Sequence, residues 1–252
     1  MEIAQLVSKK KELIELKKAE IKTVKGGLSV TTNKGVLKSF GVHKDNENSV
    51  DRTIIGNTYL WMDSHNDVHA KNVFAKSIKE RKDNIFHLHD HEFKITSKVG
   101  EPKDIYEDNI SWKDLGVNKS GRTQALFMDS EIMKSYNEQI YTDYKDGRIN
   151  QHSVGMQYVK IDLAVNDDEF EEEHKIWLDN IDSIGNKDHA EEKGYFWFVR
   201  EAKLIEISAV LLGSNELTPT LAEDKEAVKT STSKQEPSTD TQSKLIINPN
   251  FY

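Results

Sequence analysis

Asn150-Gln151-His152-Ser153-Val154-Gly155-Met156, entered from Asp146-Gly147-Arg148-Ile149, is the stretch around which the chain is organised. Asp146-Gly147 is a turn signal, and the alternating run after it is the pattern of a β-strand. Ser153 stands between a histidine and the small-residue step Val154-Gly155. A serine hydroxyl is a weak nucleophile at neutral pH, so it needs a base within hydrogen-bond reach and a third group to orient that base. If Ser153 is a nucleophile, two other stretches must supply them. His152 adjoins it, but consecutive strand residues point to opposite faces, so His152 is expected to be structural.

Upstream lies Asn84-Ile85-Phe86-His87-Leu88-His89-Asp90-His91. A strand here places His87, His89 and His91 on one face, neighbours roughly 7 Å apart and the outer pair roughly 13 Å. At most two could share an ion, so a three-histidine metal site is not expected, and solvated histidines at a polar strand end are the ordinary alternative. Downstream, Tyr195-Phe196-Trp197-Phe198-Val199 and the run from Ala202 to Leu211 read as two apolar strands, the second carrying Glu206. The ordinary reading of Glu206 is a carboxylate paired with Arg200 or Arg148.

Between and around these stretches the pattern is mixed. Ile3, Leu6, Val7, Leu13, Ile14 and Ile21 recur at helical spacing among lysines and glutamates, a charged amphipathic helix ended by Gly26-Gly27. Residues 36–42, 53–55 and 58–62 are β-rich, and 73–79 suggest a short helix. A charged loop is expected after Gly100, then a strand at 122–128 and a helix over 131–144 with Ser130 as N-cap. Residues 165–193 are acidic and read as an inserted helix or mobile excursion with a solvated face. Beyond Leu221 the chain is too polar to offset its ordering entropy, which predicts a disordered tail.

Composition narrows the function classes. The 252 residues suffice for one domain with appendages, and there is no cysteine, which removes thiol catalysis, disulfides and cysteine-ligated zinc. A net charge of −8 argues against nucleic acid as the main partner. No apolar run approaches the roughly 18 residues of a spanning helix, and no signal core opens the chain, so a soluble, non-exported protein with no membrane partner is expected. His65 and His69 stand at i and i+4, yet Asn66 occupies the place where a zinc-protease helix carries glutamate. A metallohydrolase built from these and the 87–91 histidines is an alternative; no metal or cofactor is expected.

Four motifs, in order, carry a resemblance. They are Asp63-Ser64-His65-Asn66-Asp67-Val68 followed by Phe74-Ala75-Lys76-Ser77; His89-Asp90-His91-Glu92 leading to Val99-Gly100; Ser153-Val154-Gly155-Met156; and Leu204-Ile205-Glu206-Ile207-Ser208-Ala209-Val210 with Ser214-Asn215 behind it. Across about residues 36–217 this order resembles the tailed-phage prohead maturation proteases, relatives of herpesvirus assemblin. The resemblance implies a β-rich α+β fold, a seven-stranded β-barrel surrounded by helices. It divides the chain into an N-terminal charged helix (1–27), a protease domain (28–220, acidic insertion about 163–193) and a tail (221–252).

It further implies a serine endopeptidase with Ser153 as nucleophile, His91 as general base and then acid, and Glu206 as the residue orienting His91. His91 is preferred for its spacing to Gly100, with His89 as alternate. The implied substrates are capsid scaffolding segments or the major capsid protein, and the chain itself. A homodimer acting inside the prohead in the bacterial host cytoplasm is expected. A catalytically silent scaffold protein of capsid assembly is the alternative.

Overall fold

The computed structural model describes residues 2–22 and 44–221. The expected strand at 36–42, the Gly26-Gly27 helix end and the tail beyond Leu221 lie outside the described residues.

The fold is β-rich α+β. Eight strands, β1 (Lys44–Asp45), β2 (Ser49–Thr58), β3 (Asp67–His69), β4 (Phe86–His89), β5 (Lys98–Ser111), β6 (Arg122–Met133), β7 (His152–Val165) and β8 (Tyr195–Ala209), form one mixed sheet. Its order is β1-β2-β6-β5-β4-β8-β3, with β7 joined to β8 alone. β8 is the spine. Along one edge it carries β4 and β3 in succession, both parallel to it, and along the other the antiparallel β7.

The sheet does not close into the seven-stranded barrel that the resemblance implies. The reason is local. The segment after β8 bonds to β2 instead, through Ile55 N–H to the Pro219 carbonyl and Leu221 N–H to the Thr53 carbonyl, both at 2.9 Å. The Thr218 hydroxyl donates to the His152 carbonyl at 2.7 Å, so this segment bridges the gap between β2 and β7 that a closing ladder would occupy.

The N-terminal periodicity yields two helices, α1 (Ile3–Ser8) and α2 (Lys10–Ala19), rather than one. α3 (Ala75–Arg81) forms where a short helix is expected. Its Ser77 hydroxyl accepts the Leu204 N–H at 2.9 Å, fastening the helix to β8. Residues expected as a charged loop after Gly100 are instead the 14-residue β5, whose buried Val99, Ile105 and Ile110 were outnumbered in the sequence by charges on the wet face. The helix expected over 131–144 is confined to α4 (Glu138–Lys145), capped by the Asn137 side chain, which accepts the Ile140 N–H at 3.0 Å. Ser130, read as that cap, lies buried in β6: pairing with β2 and β5 overrides the helical spacing of Ile132 and Met133.

The acidic insertion is not a mobile excursion. α5 (Glu171–Asn180) and α6 (Lys187–Lys193) bury Trp177, Ile181, Ile184 and Ala190 against Phe196 and Phe198 of β8. The Trp177 and Phe196 rings stand 5.3 Å apart. The acidic run falls in the first turn of α5, where carboxylates favour the positive end of the helix dipole.

Candidate active site

β7 and β8 pair with Ser153 opposite Ser208 and Gly155 opposite Glu206. Directly opposed residues of an antiparallel ladder share a face, as do residues i and i+2 of one strand. Ser153, Glu206 and Ser208 therefore project to one side. Gly155 leaves room among them: a Cβ there would stand 2.8 Å from Cδ of Glu206 and closer still to Oε1. Only glycine lets the carboxylate fold over β7.

His91 arrives from the other edge of β8. β4 ends at His89, and Asp90 and His91 both take left-handed backbone angles (φ 52° and 56°), uncommon for residues with a Cβ. The expected continuous strand through His91 is thus replaced by a turn, since the Asp90 N–H bonds the Ala209 carbonyl at 2.9 Å and swings His91 over the end of β8. There the His91 N–H donates to the Ser208 hydroxyl at 3.2 Å, and Nδ1 lies 2.6 Å from Glu206 Oε1. The Ser208 hydroxyl donates to Oε2 at 2.6 Å.

Glu206 is wholly buried and uses both oxygens as acceptors. A carboxylate cannot donate, so the proton of this pair sits on His91 Nδ1, and the neutral form of the ring carries its lone pair on Nε2. Nε2 is buried and has no hydrogen-bond partner among the described residues. The Ser153 hydroxyl, 5% exposed, is not bonded to it in this state; serine–histidine contacts of this kind often tighten only when substrate binds. The arginines that could have claimed Glu206 are engaged elsewhere, Arg200 with Asp162 at 2.9 Å and Arg148 with Asp143 and Asp146.

The remaining histidines of β4 and β7 share the opposite face, where His87 registers with Ile207, and His89 and His152 with Ala209. His89 Nδ1 lies 3.1 Å from Asp90, at the rim of a cleft of about 330 Å³ that also borders Gln151 and Val210. His87 and His152 lie on the core side, joined through Tyr144. The Thr218 carbonyl accepts from His152 Nδ1 (2.8 Å), so His152 Nε2 must accept the Tyr144 hydroxyl (2.9 Å). The Tyr144 oxygen then accepts from His87 Nε2 (3.0 Å), and His87 Nδ1 accepts from Ser130 (2.8 Å). Every nitrogen is satisfied with both rings neutral. Burial lowers His87 to about 3, aided by His152, and lowers His152 to about 4. His152 thus has the structural role expected of it.

Beside the site, Asp63 and Asp67 are buried around the Lys22 ammonium, and Lys17 reaches Asp67 at 2.9 Å. Burial alone would raise Asp67, but Lys22 and Lys17 outweigh it and hold the carboxyl well below its usual range. Lys22 also pairs its backbone with Met156, three places beyond Ser153 on β7. The Asp63-to-Val68 motif is therefore a docking point for the N-terminal segment. Among the described residues no three His, Asp or Glu side chains gather as a metal-binding group, and His65 and His69 do not join the 87–91 histidines.

Ser208 was visible in the sequence only as part of a motif; its alternation with Glu206 was the signal that both share a face. Comparison with family models, with curated proteins and with solved structures finds no match to this chain.

Proposed function

We propose that this chain is a serine endopeptidase with Ser153 as nucleophile, His91 as general base and acid, and Glu206 as the group that orients His91. One observation carries the reading: the 2.6 Å contact of His91 Nδ1 with buried Glu206, which leaves Nε2 without a partner among the described residues, on the strand face that also bears Ser153. A buried imidazole with one nitrogen anchored and the other free is what base catalysis by histidine needs.

The steps follow from that geometry. Ser153 Oγ bonds to the substrate carbonyl carbon as its proton passes to His91 Nε2, and the carbonyl π pair moves onto oxygen. Glu206 stabilises the resulting imidazolium. Collapse of the tetrahedral centre breaks the C–N bond, and the amine leaves with the proton from Nε2. Water, deprotonated by the same nitrogen, then attacks the acyl carbon; the C–Oγ bond breaks, Ser153 Oγ takes the proton from Nε2, and the carboxyl product leaves. Ser208 holds both the Glu206 carboxylate and the His91 backbone, so the turn cannot drift from the carboxylate.

The motif order supports placing the chain beside the phage prohead maturation proteases, with an assemblin-like domain arrangement, capsid scaffolding segments or the major capsid protein as substrates, a homodimeric state, and action inside the prohead. Self-cleavage belongs to the same reading, since proteolysis needs extended, accessible chain. Intact-mass analysis of the purified full chain tests it. Trimming of the wild type, absent in Ser153→Ala and in His91→Ala, is expected; equal trimming in all three would sink the proposal.

A further inference from the structure

We infer that the side-chain amide of Asn57 is an oxyanion-hole donor for Ser153, an assignment that rests on the protease reading above. A hydrogen-bond chain fixes the amide's orientation. The Leu217 N–H can only donate, so at 3.0 Å it marks Asn215 Oδ1 as an acceptor. Asn215 Nδ2 therefore donates, to the Thr58 carbonyl at 2.7 Å and to Asn57 Oδ1 at 2.9 Å. With Oδ1 thus assigned, Asn57 Nδ2 keeps two N–H groups and has no partner among the described residues.

Asn57 is 1% exposed, and a buried donor left unpaired forfeits the hydrogen bond that water gives it in the unfolded chain. Such a group calls for an explanation, and its position offers one. Asn57 lines a cavity of about 10 Å³ together with Ser153, His69 and Ser214. That volume is on the order of what one water-sized oxygen atom occupies. His69 also lines it with both ring nitrogens unpartnered among the described residues, and burial lowers it to about 4. At neutral pH it carries one N–H and no charge.

Local backbone design delivers Asn57 to this place. β2 carries a β-bulge between Ile55 and Asn57, the irregularity that re-aims a side chain. Gly56, within the bulge, lets β2 press on β8: a Cβ there would stand 2.8 Å from Ile207 Cδ1. In the reaction the carbonyl oxygen gains the π pair as the Ser153 Oγ–C bond forms, and a fixed, dry N–H aimed at that oxygen stabilises the charge without reorganisation.

The test uses the full chain and Asn57→Ala and Asn57→Asp, the latter keeping the Oδ1 acceptor for Asn215 while removing both N–H groups. Self-trimming rates are read by intact mass, and Ser153 labelling by a fluorophosphonate is read in parallel. A fall of about 10²–10³-fold in rate with the fold retained by circular dichroism is expected. Should the variants fail to fold, the wild type answers alone: its Asn57 side-chain ¹H–¹⁵N signals must shift when a peptide aldehyde adds to Ser153. A reactive wild type whose Asn57 variants trim within a few-fold of it, or whose Asn57 signals stay still, overturns the assignment and leaves the protease reading intact. A wild type that neither trims nor labels overturns both.

Discussion

Two histidine assemblies lie on opposite faces of the sheet, and the neighbours His152 and Ser153 of β7 face one each. On the core side, Ser130, His87, Tyr144, His152 and the Thr218 carbonyl form a closed chain in which each donor has an acceptor. On the other, Glu206, Ser208 and His91 form a chain that stops short, at an imidazole nitrogen with no partner among the described residues. The contrast separates a structural histidine from a chemically available one more sharply than burial does, since His87, His91 and His152 all have buried side chains. What differs is whether the last nitrogen is used.

Lowering the pH should strain the closed assembly most, through two buried rings, and His69 outside it adds a third. His87, His152 and His69 are held at about 3, 4 and 4 in the folded chain, against an ordinary value near 6.5. Below about pH 6.5 the unfolded chain binds protons on these rings while the folded chain does not until about pH 4, so stability falls as pH falls through that window. At pH 5 the loss amounts to about 2 kcal/mol per ring, on the order of 4–6 kcal/mol together. Urea unfolding at pH 7 and pH 5 reads it directly. The depressed Asp67 adds its own loss only below about pH 4, so it does not blur this window.

A smaller effect is expected from Gly155→Ala, which attacks the open assembly. The added methyl displaces the Glu206 carboxylate and with it the orientation of His91. Self-trimming should slow by about 10²-fold or more, as 1 Å misplacements do in catalytic sites. A trimming rate equal to wild type would show that Glu206 does not orient the base. The smallest effect belongs to Tyr144→Phe, which leaves the His87 Nε2–H and the His152 Nε2 lone pair unpaired at once. A stability loss of about 1–3 kcal/mol with trimming unchanged is expected; slowed trimming at full stability would merge the two assemblies that the faces keep apart.

How much of this could be read beforehand depends on range. The alternation of His152 and Ser153, and of Glu206 and Ser208, is local, because the period of two follows from backbone geometry alone. Hydrophobic spacing likewise located α3 and the cores of β6, β7 and β8. The same spacing misled at 131–144, where sheet pairing claimed Ile132 and Met133, and at β5, where a strand half exposed to water reads like a loop. A helix in the acidic insertion was legible, but its packing was not, because Trp177 and Ile181 find Phe196 only after the chain folds back.

By itself the sequence determined that Ser153 faces away from His152 and that Glu206 and Ser208 share a face, and that a histidine stretch, a serine and a glutamate follow one another in order. Tertiary structure alone decided which histidine meets Glu206, because two left-handed residues end β4 and carry His91 over β8. It also decided that the sheet stays open, because residues 217–221 take the backbone groups of β2. Asn57 is the extreme case: its orientation depends on Asn215 and Leu217, about 160 residues away, and no local pattern encodes such a chain of donors and acceptors.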